Sequence, residues 1–116
     1  MDLVLHRYER DGVAVLAVGG ELDLATAPRL REGLVRLVTE RSGQAVVVHL
    51  AGVAFIDSVG IGVLVGALGR ARSMAGDLLL AAPPAPFVDL LAITGLDAAF
   101  AVHATLEAAL AAASPT

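Results

Sequence analysis

Cysteine is absent from this chain of 116 residues. Its absence removes disulfides, thiolate metal ligands and cysteine nucleophiles together, and it agrees with a cytoplasmic setting. Lysine is absent as well, since all 8 basic residues are arginine. That excludes a Schiff-base lysine and a phosphate-loop lysine. Aromatic residues make up only 3% of the chain and tryptophan is missing, so there is almost nothing on which nucleobases could stack. Arg7, Arg10, Arg29, Arg31, Arg36, Arg41, Arg70 and Arg72 are dispersed among acids and form no basic stripe. The net charge is -4. Direct nucleic-acid binding is therefore not expected.

A long apolar run is also missing. The mean hydropathy is high, +0.78, but a membrane span needs about 20 consecutive apolar residues. The uncharged stretch Leu78 to Val88 is too short and is broken by Pro83, Pro84 and Pro86. Asp2, His6, Arg7, Glu9 and Arg10 are spread through the N-terminus, unlike the charged-then-apolar layout of a signal peptide. The expectation is an unexported chain with no membrane span.

What is present is an aliphatic core pattern for one domain, 57% hydrophobic and dominated by Ala, Val and Leu. Leu3 to Arg7 alternates as a strand, Asp11-Gly12 is a hairpin turn, and Val13 to Val18 is a second strand that Gly19-Gly20 ends. Thr26-Ala27-Pro28 opens a helix with Leu30, Leu34, Leu37 and Val38 on its inner face, stopped by Ser42-Gly43. Ala45 to Leu50 is a buried strand, and Ala51 to Ile56 is a connection. Asp57-Ser58 starts a second helix with Ile61, Leu64, Val65 and Leu68 inward and Arg70 and Arg72 near its C-terminal end. Gly60, Gly62, Gly66 and Gly69 in that helix imply close approach to a sheet or a partner, because each weakens a helix by roughly 1 kcal/mol against Ala. Leu78 to Ala82 is a strand, Phe87 to Ile93 a short helix capped by Gly95, Ala99 to Val102 a last strand, and Leu106, Ala109, Leu110 and Ala113 mark a C-terminal helix.

The order is β-β-α-β-α-β-α-β-α. Strands separated by helices imply right-handed parallel crossovers, and the opening hairpin adds an antiparallel pair. The fold class is α/β, with a mixed four- to five-stranded sheet and about four helices. The domain spans residues 1–113, followed by a short disordered tail at 114–116.

Ile56-Asp57-Ser58-Val59-Gly60-Ile61-Gly62 is the segment richest in chemical possibility. Unpaired N–H groups and the positive end of a helix dipole welcome an anion there. Phosphorylation of Ser58 would add about -1.5 to -2 charge, which Asp57 and a nearby Asp23 would oppose. A plain N-cap at Asp57 or Ser58 accounts for the same residues. Glu21-Leu22-Asp23-Leu24-Ala25-Thr26 leaves a neighbouring strand end and could share that face, or be a solvated turn in which Asp23 or Thr26 caps a helix. Catalytic signals are weak. Ile56 stands where a Gly-x-Ser-x-Gly elbow needs its first Gly, so a hydrolase using Ser58 would require a base that the sequence does not supply. His6, His49 and His103 have no catalytic or metal spacing. No cofactor is expected.

Taken together, Gly20-Glu21-Leu22-Asp23 with Thr26-Ala27, the run Val47-Val48-His49-Leu50-Ala51-Gly52-Val53-Ala54-Phe55-Ile56-Asp57-Ser58-Val59-Gly60-Ile61-Gly62, and Thr94-Gly95-Leu96 resemble the STAS domain. Within it, the chain resembles the bacterial anti-sigma factor antagonists. The resemblance implies that the unmodified chain binds an anti-sigma factor that is itself a serine kinase, releasing the sigma factor. Phosphorylation of Ser58 by that kinase, with ATP, ends the complex, and a serine phosphatase restores it. It also implies that Asp23 contacts the kinase beside the acceptor. Thr26, Asp57, Val59, Gly60, Ile61 and Gly95 would contribute to partner binding. Val59 departs from the small residue that many relatives carry after the acceptor, which bears on kinase selection. A STAS subunit of another assembly, such as a lipid-transport or stress-signalling complex, shares these features. The Ala- and Arg-rich, Lys-free composition suggests a high-GC bacterial genome.

Overall fold

A computed structural model describes Asp2–Ser114. The order of elements is β1 (Leu3–Arg10), β2 (Val13–Leu22), α1 (Ala27–Glu40), β3 (Ala45–Ile56), α2 (Ser58–Ser73), β4 (Asp77–Ala81), α3 (Ala85–Ile93), β5 (Ala101–His103) and α4 (Leu106–Ala113). The five strands form one sheet in the order β1-β2-β3-β4-β5. β1 runs antiparallel to β2 across the Asp11-Gly12 turn, and the remaining pairs are parallel. The α/β class and the element order agree with the sequence reading.

This topology separates the two faces. Successive right-handed crossovers that step in one direction place their helices on one side of the sheet. Accordingly α1, α2 and α3 bury Leu30, Leu34, Leu64, Leu68 and Phe87 against Leu16, Val18, Val46, Val48 and Leu80. The opposite face carries Val13, Val15, Val47 and Leu79, covered by Leu106, Ala109 and Leu110 of α4. The β-branched run Val46-Val47-Val48 thus faces a core on both sides, as a central parallel strand must.

Several boundaries differ from those the sequence suggests. β2 does not end at Gly19-Gly20 but continues to Leu22, and the expected connection Ala51 to Ile56 is the second half of β3. The two halves pair with each other: Gly19 with Gly52, Gly20 with Val53, Glu21 with Phe55 and Leu22 with Ile56. Register shifts between Ala17/Gly19 and Gly20/Glu21 place extra β3 residues there as bulges. The bulges break the alternation by which a strand is read. β4 stops at Ala81 because Ala82 turns to a φ of 51°, its N–H donating to the His103 carbonyl. β5 is displaced to Ala101–His103, and α3 starts at Ala85 with Pro86 in its first turn. On α2, Val63 is buried, whereas Val65, expected inward, is only half-buried. The expected tail lies outside the described residues apart from Ser114.

Candidate functional site

The site begins where β2 and β3 end side by side. Leu22 pairs with Ile56, and the Leu22 carbonyl accepts a hydrogen bond from the Asp57 N–H at 3.1 Å. The chain leaves both strands at this level, so the Asp23 loop and the start of α2 are neighbours. The structure thus brings together the two segments that the sequence placed at a common edge. It is the position at which open α/β sheets present their sites.

At the start of α2 the roles of Asp57 and Ser58 separate. Asp57 is the N-cap, with extended backbone at φ -119°, ψ -176°. Its Oδ1 accepts from the Val59 N–H at 2.9 Å and the Gly60 N–H at 3.1 Å. The orphan amides of the first turn are thereby partly satisfied. Ser58 is the first helical residue, exposed, and its hydroxyl makes no hydrogen bond among the described residues. Gly60 is fixed by packing. A Cβ there would lie 2.7 Å from the Leu22 carbonyl oxygen and 2.8 Å from the Leu22 Cβ. Ile61 is buried in the core. Gly60 and Ile61 therefore seat the helix start on β2, while Ser58 and Val59 face outward.

The Asp23 loop is ordered by its own side chains. Asp23 Oδ1 accepts from the Ala25 N–H at 2.9 Å and the Thr26 N–H at 3.1 Å. Thr26 is buried. Its hydroxyl donates to the Glu21 carbonyl at 2.7 Å and accepts from the Asp23 N–H at 3.1 Å. Thr26 precedes α1 but makes no side-chain cap bond, so it braces the loop rather than the helix. Gly95 lies in the turn after α3 with φ +73°, a left-handed conformation that closes the helix. No hydrogen bond links it to the Ser58 junction.

Two apolar side chains to which the sequence reading gave no role, Leu24 and Phe55, join Val59 as exposed apolar groups near this edge. Leu24 and Phe55 are exposed by 74% and 51%, and Val59 by 37%; Val88 and Ile93 of α3 are exposed as well. The signal for Leu24 was legible: a leucine between an acid and a tight Asp turn has no core to enter. Phe55 was hidden, because its orientation depends on the β3 bulges. The histidines lie elsewhere. His6, Ala17, His49, Ala81 and His103 pair in succession across the sheet. His49 precedes Ile56 by seven residues, about 20 Å along the strand. Among the described residues there is no group of side chains that could hold a metal, and no helix is long and apolar enough to cross a membrane.

The family model of the STAS domain matches residues 5–109. The chain belongs to the STAS domain family. An anti-sigma-B factor antagonist of Listeria monocytogenes is 33% identical over 97 residues, covering 83% of this chain and 84% of that protein. This places the STAS chain among the anti-sigma factor antagonists. The anti-sigma-F factor antagonist RsfB of Mycobacterium tuberculosis is 43% identical over 56 residues, covering 48% of this chain and 45% of that protein. The match thus spans about half the length of the mycobacterial relative. The crystal structure of an anti-sigma factor antagonist from Mycobacterium paratuberculosis superposes with a TM-score of 0.81 at 29% identity, covering 97% of this chain and 94% of that one.

Proposed function

We propose that this STAS protein is a phosphorylation-switched binding module in which unmodified Ser58 is part of the docking surface for an anti-sigma factor with serine kinase activity. The observation that carries this reading is the free hydroxyl of Ser58, exposed on the first turn of α2 while Asp57 does the capping. A structural serine at this position would bond to the helix. Leu24, Phe55 and Val59 supply exposed apolar area beside it, as a protein-binding surface needs. Asp23 and Asp57 are the charged contacts, and Thr26, Gly60 and Ile61 hold the surface from beneath. Gly95 contributes through the turn that it closes.

The switch is electrostatic. The positive end of the helix dipole tolerates a phosphate on Ser58. A partner covering Leu24 and Val59 would have to bury that strongly hydrated anion beside two carboxylates, which opposes binding. A serine phosphatase would reverse the effect. No imidazole lies within hydrogen-bond reach of Ser58 among the described residues, so the hydroxyl is read as an acceptor of phosphate and not as a nucleophile of the chain's own chemistry. This reading carries a cytoplasmic location with it.

The test pairs binding with modification. The purified chain is incubated with Mg-ATP and the anti-sigma factor kinases of the same genome, then weighed intact and titrated against each kinase. One added phosphate, lost in Ser58→Ala, is expected. Ser58→Ala should bind as the native chain does, and Ser58→Asp should lose at least tenfold in affinity. Equal affinity of all three forms overturns the switch and leaves a STAS subunit of another assembly.

A further inference from the structure

We infer that the cleft between α1 and α2 is a docking groove for an acidic helix of the partner protein, an inference that rests on the binding-module reading above. The cleft has a volume of about 190 Å³ and is lined by Arg31 and Val35 of α1 and by Gly62, Gly66, Ala67 and Arg70 of α2, among others. Gly62 lies one helical turn beyond Ser58, so the groove continues along the helix that presents the acceptor. Its volume is below the ~300–1,000 Å³ of typical small-molecule sites, but a few side chains of a helix fit it.

Charge gives the occupant its chemistry. Arg7, Arg36, Arg41 and Arg72 each pair with an acid, namely Glu40, Glu32, Glu9 and Asp77. Arg29 donates to the Leu3 carbonyl. The guanidinium groups of Arg10, Arg31 and Arg70 have no ion pair or hydrogen bond among the described residues; Arg10 stands alone at the end of β1, whereas Arg31 and Arg70 both line the cleft. On a chain of net charge -4 this is an unpartnered basic pair over a small-residue floor. Carboxylates are its natural complement.

The glycines of the cleft suit the same occupant, although Gly69, outside the lining, is equally open. A Cβ built at Gly62 or Gly66 would meet nothing within 4 Å. Alanine would therefore fit at both positions and would strengthen α2. The packing of this chain gives no reason for glycine there, in contrast to Gly60. Glycine on an exposed helix face permits close approach of another backbone, and an incoming helix crossing α2 at Gly62 and Gly66 would use it.

The test is calorimetric titration with the anti-sigma factor kinase of the same genome. Gly62→Ala/Gly66→Ala and Arg31→Glu/Arg70→Glu are each expected to weaken binding at least tenfold. The alanine pair should also melt above the native chain, which excludes misfolding as the cause. Arg10→Glu, an arginine remote from the cleft lining, should bind as the native chain does. Native affinity in both cleft variants overturns the groove. If Ser58→Asp loses binding while the cleft variants keep it, the switch stands and the groove fails. If the cleft variants lose binding while Ser58→Asp keeps it, the groove stands without the switch. A dimer in sedimentation that Arg31→Glu/Arg70→Glu dissolves would make a second copy the occupant, and would overturn the inference. Competition by millimolar inorganic phosphate that disappears in the arginine variant would make the cleft a small-anion site, with the same consequence.

Discussion

Asp57 and Ser58 share one helix start, and their substitution should separate two kinds of importance. Asp57→Ala removes the acceptor of the Val59 and Gly60 amides, so a loss of about 1 kcal/mol in urea unfolding is expected, as for other N-caps. Ser58→Ala removes a hydroxyl that makes no bond among the described residues, so its stability should stay within about 0.5 kcal/mol of native. The reverse order would show that Ser58 is the structural residue. The sequence showed that a helix begins here, but it did not divide the roles. Aspartate and serine both cap helices, and the choice was made by the extended backbone of Asp57, which the Leu22 carbonyl pins in place. Thr26 illustrates the same limit. It stands before a helix and has a capping side chain, yet its hydroxyl is drawn to Glu21 and Asp23, on the loop behind it.

The α2 element has glycines of two kinds, and alanine substitution should act on them with opposite sign. Gly60→Ala forces a methyl group to within 2.7 Å of a backbone oxygen. Because that oxygen is held in a strand, a loss of about 1–3 kcal/mol is expected. Gly69→Ala meets nothing within 4 Å and should gain up to about 1 kcal/mol from helix propensity alone. Paired thermal melts of the two variants check both signs. From the sequence, close approach was assigned to the glycines of this helix collectively. That holds for Gly60 against β2. Which glycine meets the sheet depends on the rotation of the helix about its axis, and the weak contrast between the faces of this apolar helix did not reveal it. The second halves of β2 and β3 escaped reading for a related reason. Gly19-Gly20 and Ala51-Gly52 each look like strand ends, and only their mutual pairing across bulges makes them strands.

For the whole molecule, the element order was enough to give the mixed sheet with right-handed crossovers, whereas the placement of three helices on one face follows from the strand order β1-β2-β3-β4-β5, which the element order does not fix. The same topology makes the site a rim feature. Ser58 and Asp23 project from strand ends, outside both hydrophobic clusters. A phosphate on Ser58 therefore breaks no core contact and no hydrogen bond among the described residues. The expected consequence is a switch without a refolding step. Chemical shifts of the phosphorylated chain should change around Asp23–Thr26 and Asp57–Ile61 and remain fixed in β5 and α4. The melting temperature should move by no more than a few degrees, since about 1 kcal/mol corresponds to roughly 4–8 °C in a domain of 60–100 residues and somewhat less in a longer one. Shifts that spread into α4 would mean that the phosphate acts by rearranging the sheet. Confinement to the rim would mean that the partner reads the charge directly, and that the rest of the fold serves to hold Ser58 in place.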